Sequence, residues 1–475
     1  MKTNRIAKGL VALSAALALT ACGTSLGSIA DVGATTSSGT TSSAVATTAT
    51  DGSYTIHAQA DDVDYDASTA KTIALGSGNV EITEPGTYIL TGTLSNGQVI
   101  VNSSAEGKVR IVLSNASITN SSGAAIDVRA ADEVVVVLAE GTSNSLTDGS
   151  GYDTSGEDAA DAALFSMADL TIGGTGSLIV TGNTADGIAS KDGLVILGGT
   201  ITVKAADDGI RGKDYLVIQD GTLDVTSAQD GLKSTNETDA QYGDIVISGG
   251  TLTVNAGDDG AHAEGDLAIT GGTVTIAKSS EGLEGHTITI AGGSTSVTSS
   301  DDGVNASSGT GSTSGGGGGG MADDGSSLLI SGGTLTVNAG GDGLDSNGSI
   351  TISGGTTTVA GPTGNGNGSL DSNAGITYTG GTLIAAGSAG MAEAPDSGNY
   401  VQANVSAPAG ATIEVRSGDT VIATYTTVKA VANVVVASDH IVSGQSYTVT
   451  VNGSTTATVT AGQATGGGMG GGPRG

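Results

Sequence analysis

Seven acidic residues each stand immediately before a glycine at recurring intervals: Asp186, Asp208, Asp230, Asp259, Glu281, Asp302 and Asp342. A further acid precedes three of them, at Asp207, Asp258 and Asp301. If the intervals are coils of one repeat, these carboxylates stack at about 4.8 Å. Each neighbouring pair then repels by roughly 1 kcal/mol even in water. Asp-Gly is also ordinary turn chemistry, and a turn recurs whenever a coil recurs. That accounts for one acid per coil but not for the doubled ones. Hard cations with oxygen ligands relieve such repulsion, and calcium tolerates irregular loop geometry. Calcium is therefore the expected cofactor. Its candidate ligands are Asp186, Asp207, Asp208, Asp230, Asp258, Asp259, Glu281, Asp301 and Asp302, with Glu237 and Asp239 from an insertion that also carries Asn236. The run Asp153, Glu157, Asp158 and Asp161 offers further acids.

Two positions past each corner glycine the residues read Ala189, Arg211, Lys233, His262, Glu284, Asn305 and Asp345. Arg211 and Lys233 fall one coil apart beside the acidic column. Calcium next to a basic residue is the arrangement of β-elimination polysaccharide lyases, in which an Arg or Lys removes a metal-acidified proton from a uronate. The plainer expectation is that both cations pair with neighbouring acids, so no catalytic residue is assigned and Lys233 and Arg211 stand only as the alternative. His57, His262, His286 and His440 have no metal-ligand spacing, and no zinc, haem or phosphate-loop signature is present.

A repeat has to hold these columns. A strand such as Leu194-Val195-Ile196 leads to Gly198-Gly199-Thr200, a second strand Ile201-Thr202-Val203, then Asp207-Asp208-Gly209 and a short third strand from Ile210. The unit returns at about 22 residues, interrupted by insertions at 235–243 and 307–327, and three short strands per period mean a solenoid. Ile188, Ile210, Leu232, Ala261, Leu283, Val304 and Leu344 then form an inward aliphatic column, and the glycines occupy corners that need positive φ or no Cβ. The expected fold is all-β, a right-handed parallel β-helix over 71–390. Alternating strands after about residue 400 predict a small antiparallel β domain over 396–463 that caps the open end, followed by a Gly-rich tail, 464–475.

The rest of the composition agrees. Aromatic residues make up 2% of the chain, glycine numbers 81 and tryptophan is absent, a poor basis for a conventional globular core. The net charge of −32 excludes nucleic acid as a partner and repels anionic polysaccharide unless cations intervene. At the N-terminus, Lys2, Arg5 and Lys8 precede a short apolar run that ends in Leu19-Thr20-Ala21-Cys22. This reads as a lipoprotein signal peptide over 1–21, with Cys22 as the lipidated residue. A Ser/Thr/Ala-rich tether is expected over 22–70. Cys22 is the only cysteine, so no internal disulfide can form. The expected partners are a polysaccharide and, through the lipid, a membrane at the bacterial cell surface; the expected state is a monomer, and a structural adhesin or spacer without a glycan ligand stands as a further alternative.

The stretches DGIRGKD from Asp208, DGLKSTNETDAQYGDIVISGGTLTV from Asp230 and EDAADAALFSMADLTIGGTGSL from Glu157 resemble a family of bacterial carbohydrate-binding β-helix proteins. That family is typified by a clostridial cell-surface protein that binds cellulose and polygalacturonate. The resemblance spans roughly residues 75 to 460 and implies a non-catalytic, calcium-containing polysaccharide binder related in shape to pectate lyases. Gln229 and Ser280, where other coils carry a first acid, and Ala261, where a larger aliphatic is usual, depart from the pattern.

Overall fold

The computed structural model describes residues 55–156, 158–308 and 322–465. Residues 1–54, with the signal peptide, Cys22 and most of the tether, lie outside the described residues, as do Glu157, most of the glycine-rich insertion and the last ten residues. The described chain is all-β.

Most strands pair in parallel with their own equivalent one coil later. Gly193–Ile196 pairs with Tyr215–Ile218, Thr200–Ala205 with Thr222–Thr226, and Ile210–Gly212 with Leu232–Ser234. Three ladders therefore run the length of the body, a β-helix-like arrangement, and the third is a twelve-stranded sheet. Register shows how insertions are absorbed. Leu194 pairs with Leu216, 22 residues on. The next partners are Ile245, Leu267, Ile288 and Leu328, at steps of 29, 22, 21 and 40 residues. The two long steps contain the insertions; the strands on either side keep their pairing, because parallel ladders specify register wherever one face is buried.

The alternation TLDVT in Thr222–Thr226 buries Leu223 and Val225 and exposes the threonines and Asp224. β-branched threonine suits a half-exposed pleated surface. The inward column of the third ladder runs from Ile126 and Leu164 through Ile188, Ile210, Leu232, Ala261, Leu283, Val304 and Leu344 to Leu370, all fully buried. Each such side chain contributes on the order of 1.5–3 kcal/mol, so the core is built by stacking aliphatics rather than by aromatics.

Two sets of glycines serve two purposes. Gly272 has φ +79, a left-handed corner before a second-ladder strand. Gly209, after the acid, has no such φ; a Cβ there would run into Val225 and the carbonyl of Gly231. The acid-glycine corner is thus set by close approach of neighbouring coils.

The parallel stack ends at Thr382–Gly387, which pairs antiparallel with Val431–Ser438. Val435, Ala437 and Tyr400 join the solenoid core and cover its end. A separate four-stranded antiparallel sheet, from Thr412–Ser417 to Ser454–Thr460, has its own core around Ile413, Val415 and Val449.

Residues 55–64 differ from the tether expectation. Ile56 and Ala58 are fully buried against Val195, Tyr215, Val217 and Val246. Tyr215 Oη meets both the backbone N–H (3.1 Å) and Nδ1 (2.7 Å) of His57, and Asp62 pairs with Lys108. The outer face of the first ladder is apolar here, and this segment removes it from water.

Candidate functional site

The acidic column lies at the corner entering the third ladder. Asp186, Asp208, Asp230 and Asp259 are 2–6% exposed, while Glu281, Asp302 and Asp342 are half-buried. Their role is not only local. Oδ1 of Asp186 accepts the N–H of Asp208 at 3.2 Å, Asp208 that of Asp230 at 3.1 Å, and Asp230 that of Asp259 at 2.9 Å. Further along, Asp302 accepts the N–H of Asp342 at 2.6 Å and Asp342 that of Gly368. Each of these carboxylates therefore joins its coil to the next, whereas Glu281 accepts from the Asn305 side chain at 2.8 Å. The doubled acids stand apart from this ladder: Asp258 and Asp301 are exposed and Asp207 half-buried.

The other carboxylate oxygen faces a second column, the middle residues of the third-ladder strands. In register these are Asp127, Phe165, Ala189, Arg211, Lys233, His262, Glu284, Asn305, Asp345 and Asp371. Arg211 lies 2.6 Å from Asp186 and 2.8 Å from Asp161. Lys233 lies 2.6 Å from Asp230 and 3.6 Å from Asp208. Both cations are thus paired with acids, as the plainer expectation had it. Burial works against the charge on Lys233, but its bond to Asp230 and the nearby Asp208 outweigh it, raising its pKa. A general base must give up its proton, and this environment holds that proton in place.

His262 continues the series. Its Nδ1 lies 3.1 Å from Asp259 and 3.3 Å from Glu284. Burial again opposes the charge, yet the bond to Asp259 and the charges of Glu284 and Asp230 push the imidazole up to about 9. Glu284 is pushed up to about 8, first by burial and then by its hydrogen bond to Asp259. Two groups bring potential ligand atoms within 4.8 Å of one another: Asp230, Asp259 and His262, and Asp259, Glu281 and Glu284. Asp230, Asp259 and Glu281 were expected as ligands; His262 and Glu284 were not, although both stand two residues past a corner glycine.

Beyond Glu284 the column changes sign. Asp302, Asp342, Asp345 and Asp371 come together with no Lys, Arg or His ion pair among the described residues. Burial first, then the mutual charges, raises Asp302 to about 6, Asp342 to about 7 and Asp345 to about 8.

The remaining candidates fall elsewhere. Asn236 anchors the 235–243 insertion, donating to Asp214 at 2.7 Å and accepting the N–H groups of Thr238 and Asp239, both at 3.1 Å. Asp239 is exposed and accepts the N–H of Gln241. Glu237, Gln241 and Tyr242 line one wall of a cleft of about 770 Å³; Asp244, Glu264 and Asp266 line it from the coils, beside His262 and His286. Asp153 holds its own turn through Ser155, and Asp161 bonds Lys191 and Arg211. Asp158 lines a second cleft of about 530 Å³ with Arg129 and Tyr152. His57 sits in the N-terminal segment, far in sequence from these groups.

A family model described as "Carbohydrate-binding domain-containing protein" matches residues 76–325, more than half of the chain and all of both clefts. A protein of the same description from Acetivibrio thermocellus is 39% identical over 137 residues, which is 28% of this chain. The matched part spans about half (47%) of that relative's length. A solved structure described as the polysaccharide lyase-like protein from C. thermocellum, gadolinium derivative, is 29% identical. The match covers 48% of this chain and 92% of the other, with a TM-score of 0.41.

Proposed function

From the premise that the chain belongs to the carbohydrate-binding domain-containing protein family, we propose that it is a non-catalytic polysaccharide binder stabilised by calcium. The glycan lies along the outer face of the third ladder and the clefts beside it. The observation that carries this reading is the run of polar residues set one coil apart from Arg211 to Asp371, inside the matched region as far as Asn305. An extended polymer and a solenoid face share one direction, so successive sugars meet successive coils.

Calcium is placed at the acid-rich end of that track. Asp302, Asp342, Asp345 and Asp371 offer only oxygen donors, suited to a hard cation, and among the described residues no basic side chain pairs with them. Asp301 is near enough to contribute to the charge there. Asp186, Asp208, Asp230 and Asp259 suit an ion less well, because Arg211, Lys233 and His262 already face them; Asp207, Asp258, Glu281, Glu237 and Asp239 remain secondary candidates. Bound calcium supplies positive charge that lets an acidic, polygalacturonate-like chain approach a protein of net charge −32. A cellulosic chain needs no such bridge.

A calcium-dependent lyase is the second reading, with Lys233 and Arg211 as its basic candidates. Their close pairing with acids favours the binding reading. We further propose a right-handed coil sense, as the parallel crossover rule favours, a monomer, and attachment to the cell surface by a lipid on Cys22. The test is calorimetric titration of calcium, then of oligogalacturonate and cello-oligosaccharide, into the full chain. Heat of glycan binding is expected in the presence of calcium; none with either sugar would count against the proposal.

A further inference from the structure

The cleft beside the 235–243 insertion has a chemistry of its own. The insertion lengthens the coil step to 29 residues and raises a wall over the corner where the third ladder turns into the first. It is a built wall: Asn236 ties it to the Asp214 side chain at 2.7 Å, and the N–H of Gly243 bonds the Asp214 carbonyl at 2.6 Å. Tyr242 packs on the outer apolar cluster of Tyr215, Val217 and Val246 and lines the cleft as well. Its volume, about 770 Å³, falls in the range of small-ligand sites.

Among the described residues no Lys or Arg lines this cleft, whereas Glu237, Asp244, Glu264 and Asp266 do. His262 is held by Asp259 and Glu284 on Nδ1, and its Nε2 lies 3.6 Å from Glu264, so the acids around it balance its charge. A sugar carboxylate entering here would meet acids and no free guanidinium or ammonium. Sugar hydroxyls are in the opposite position, since they donate to carboxylates in short, charge-assisted bonds. The family match covers every residue of the lining, an indication independent of the charges that the ligand is a carbohydrate.

Resting on the carbohydrate-binding reading above, we propose that this cleft is a direct, metal-independent subsite for a sugar unit that carries hydroxyl or ammonium donors and no carboxylate. Glu264 and Asp266 accept from the ligand, and Tyr242 supplies an apolar wall for the ring face. The site is separate from the acid-rich end at Asp342 and Asp345, so one polymer-binding face has two regimes: donor-rich sugar at the cleft, and cation-bridged acidic sugar further along.

The experiment is titration calorimetry on the full chain in chelator, with oligomers of glucose, glucosamine and galacturonate of equal length. The glucose or glucosamine oligomer is expected to bind, with the glucosamine arm distinguishing an ammonium from a hydroxyl ligand by its salt dependence. Galacturonate is expected to bind at least roughly ten-fold more weakly. Glu264→Gln and Tyr242→Ala are each expected to weaken binding several-fold, and Asp419→Asn, exposed in a turn of the C-terminal four-stranded sheet, to leave it unchanged. Equal binding of galacturonate in chelator would overturn the proposal, as would indifference to both cleft variants. Binding of every oligomer only when calcium is present would overturn it and leave the broader function standing. No binding with or without calcium would overturn both.

Discussion

Asp230 holds the Lys233 ammonium 2.6 Å from Oδ2 while its Oδ1 accepts the N–H of Asp259, one coil further on, at 2.9 Å. One side chain thus performs two tasks, neutralising the outward column and joining consecutive coils. Asp186 repeats the pattern with Arg211 and the N–H of Asp208.

Asp230→Ala removes both contacts at a position 3% exposed. The loss strands a buried N–H and leaves Lys233 with the more distant Asp208. Destabilisation of about 3–5 kcal/mol is expected from breaking a buried pair. Asp230→Asn keeps an acceptor for Asp259 and is expected to cost less than the alanine variant. Urea unfolding of the two variants side by side checks the order.

Gly209→Ala tests the packing of neighbouring corners. The new methyl group meets Val225 and the Gly231 carbonyl, and overpacking of this kind costs about 1–3 kcal/mol. Gly410→Ala is a different case: it has open space but a φ of +79, so backbone strain alone sets its cost, about 1 kcal/mol or somewhat more. Thermal unfolding of each variant reads the difference.

Asp345 gives the pH dependence its sign. Its folded pKa, raised to about 8 by burial and the charges of Asp302, Asp371 and Asp342, exceeds its ordinary value of 3.8. A group raised on folding stabilises below its unfolded pKa, and that contribution is lost as pH rises through the folded value. Without calcium, stability is therefore expected to fall between about pH 4 and pH 8, and Asp345→Asn to lessen the fall. With calcium bound the same substitution is expected to destabilise, because a ligand is lost. Melting curves at pH 5 and pH 8.5, with calcium and with chelator, test this reversal; an unchanged Asp345→Asn effect on adding calcium would remove Asp345 from the ion site.

Lys233→Met is expected to lower stability and to leave no lyase activity missing, because none is expected in the parent chain. Ultraviolet absorbance of unsaturated uronide products, followed on polygalacturonate with calcium, checks both proteins. A steady rise in the parent that Lys233→Met abolishes would establish the lyase instead.

The aliphatic column could be read from the sequence because a fixed period carries each residue of one coil onto the next; Ile210 and Leu232 had only one place to go. Side-chain direction was harder. That Asp208 points one oxygen at the N–H of Asp230 follows from how far the corner turns, which spacing does not record. His262 and Glu284 stood in a column legible from the sequence, but ligands were sought by residue type along the acidic column, while the backbone brings unlike residues to one place. The buried segment around Ile56 resembled a tether in composition. Its only signal was the alternation of Ile56 and Ala58 with polar neighbours, two residues being too few to stand out.

The central claim, that this chain recognises polysaccharide through its own body, is tested most directly by retention of the full chain on immobilised cellulose and polygalacturonate, in calcium and in chelator. Retention on cellulose in both conditions, and on polygalacturonate only with calcium, is the predicted result. Passage through both matrices in both conditions would contradict it.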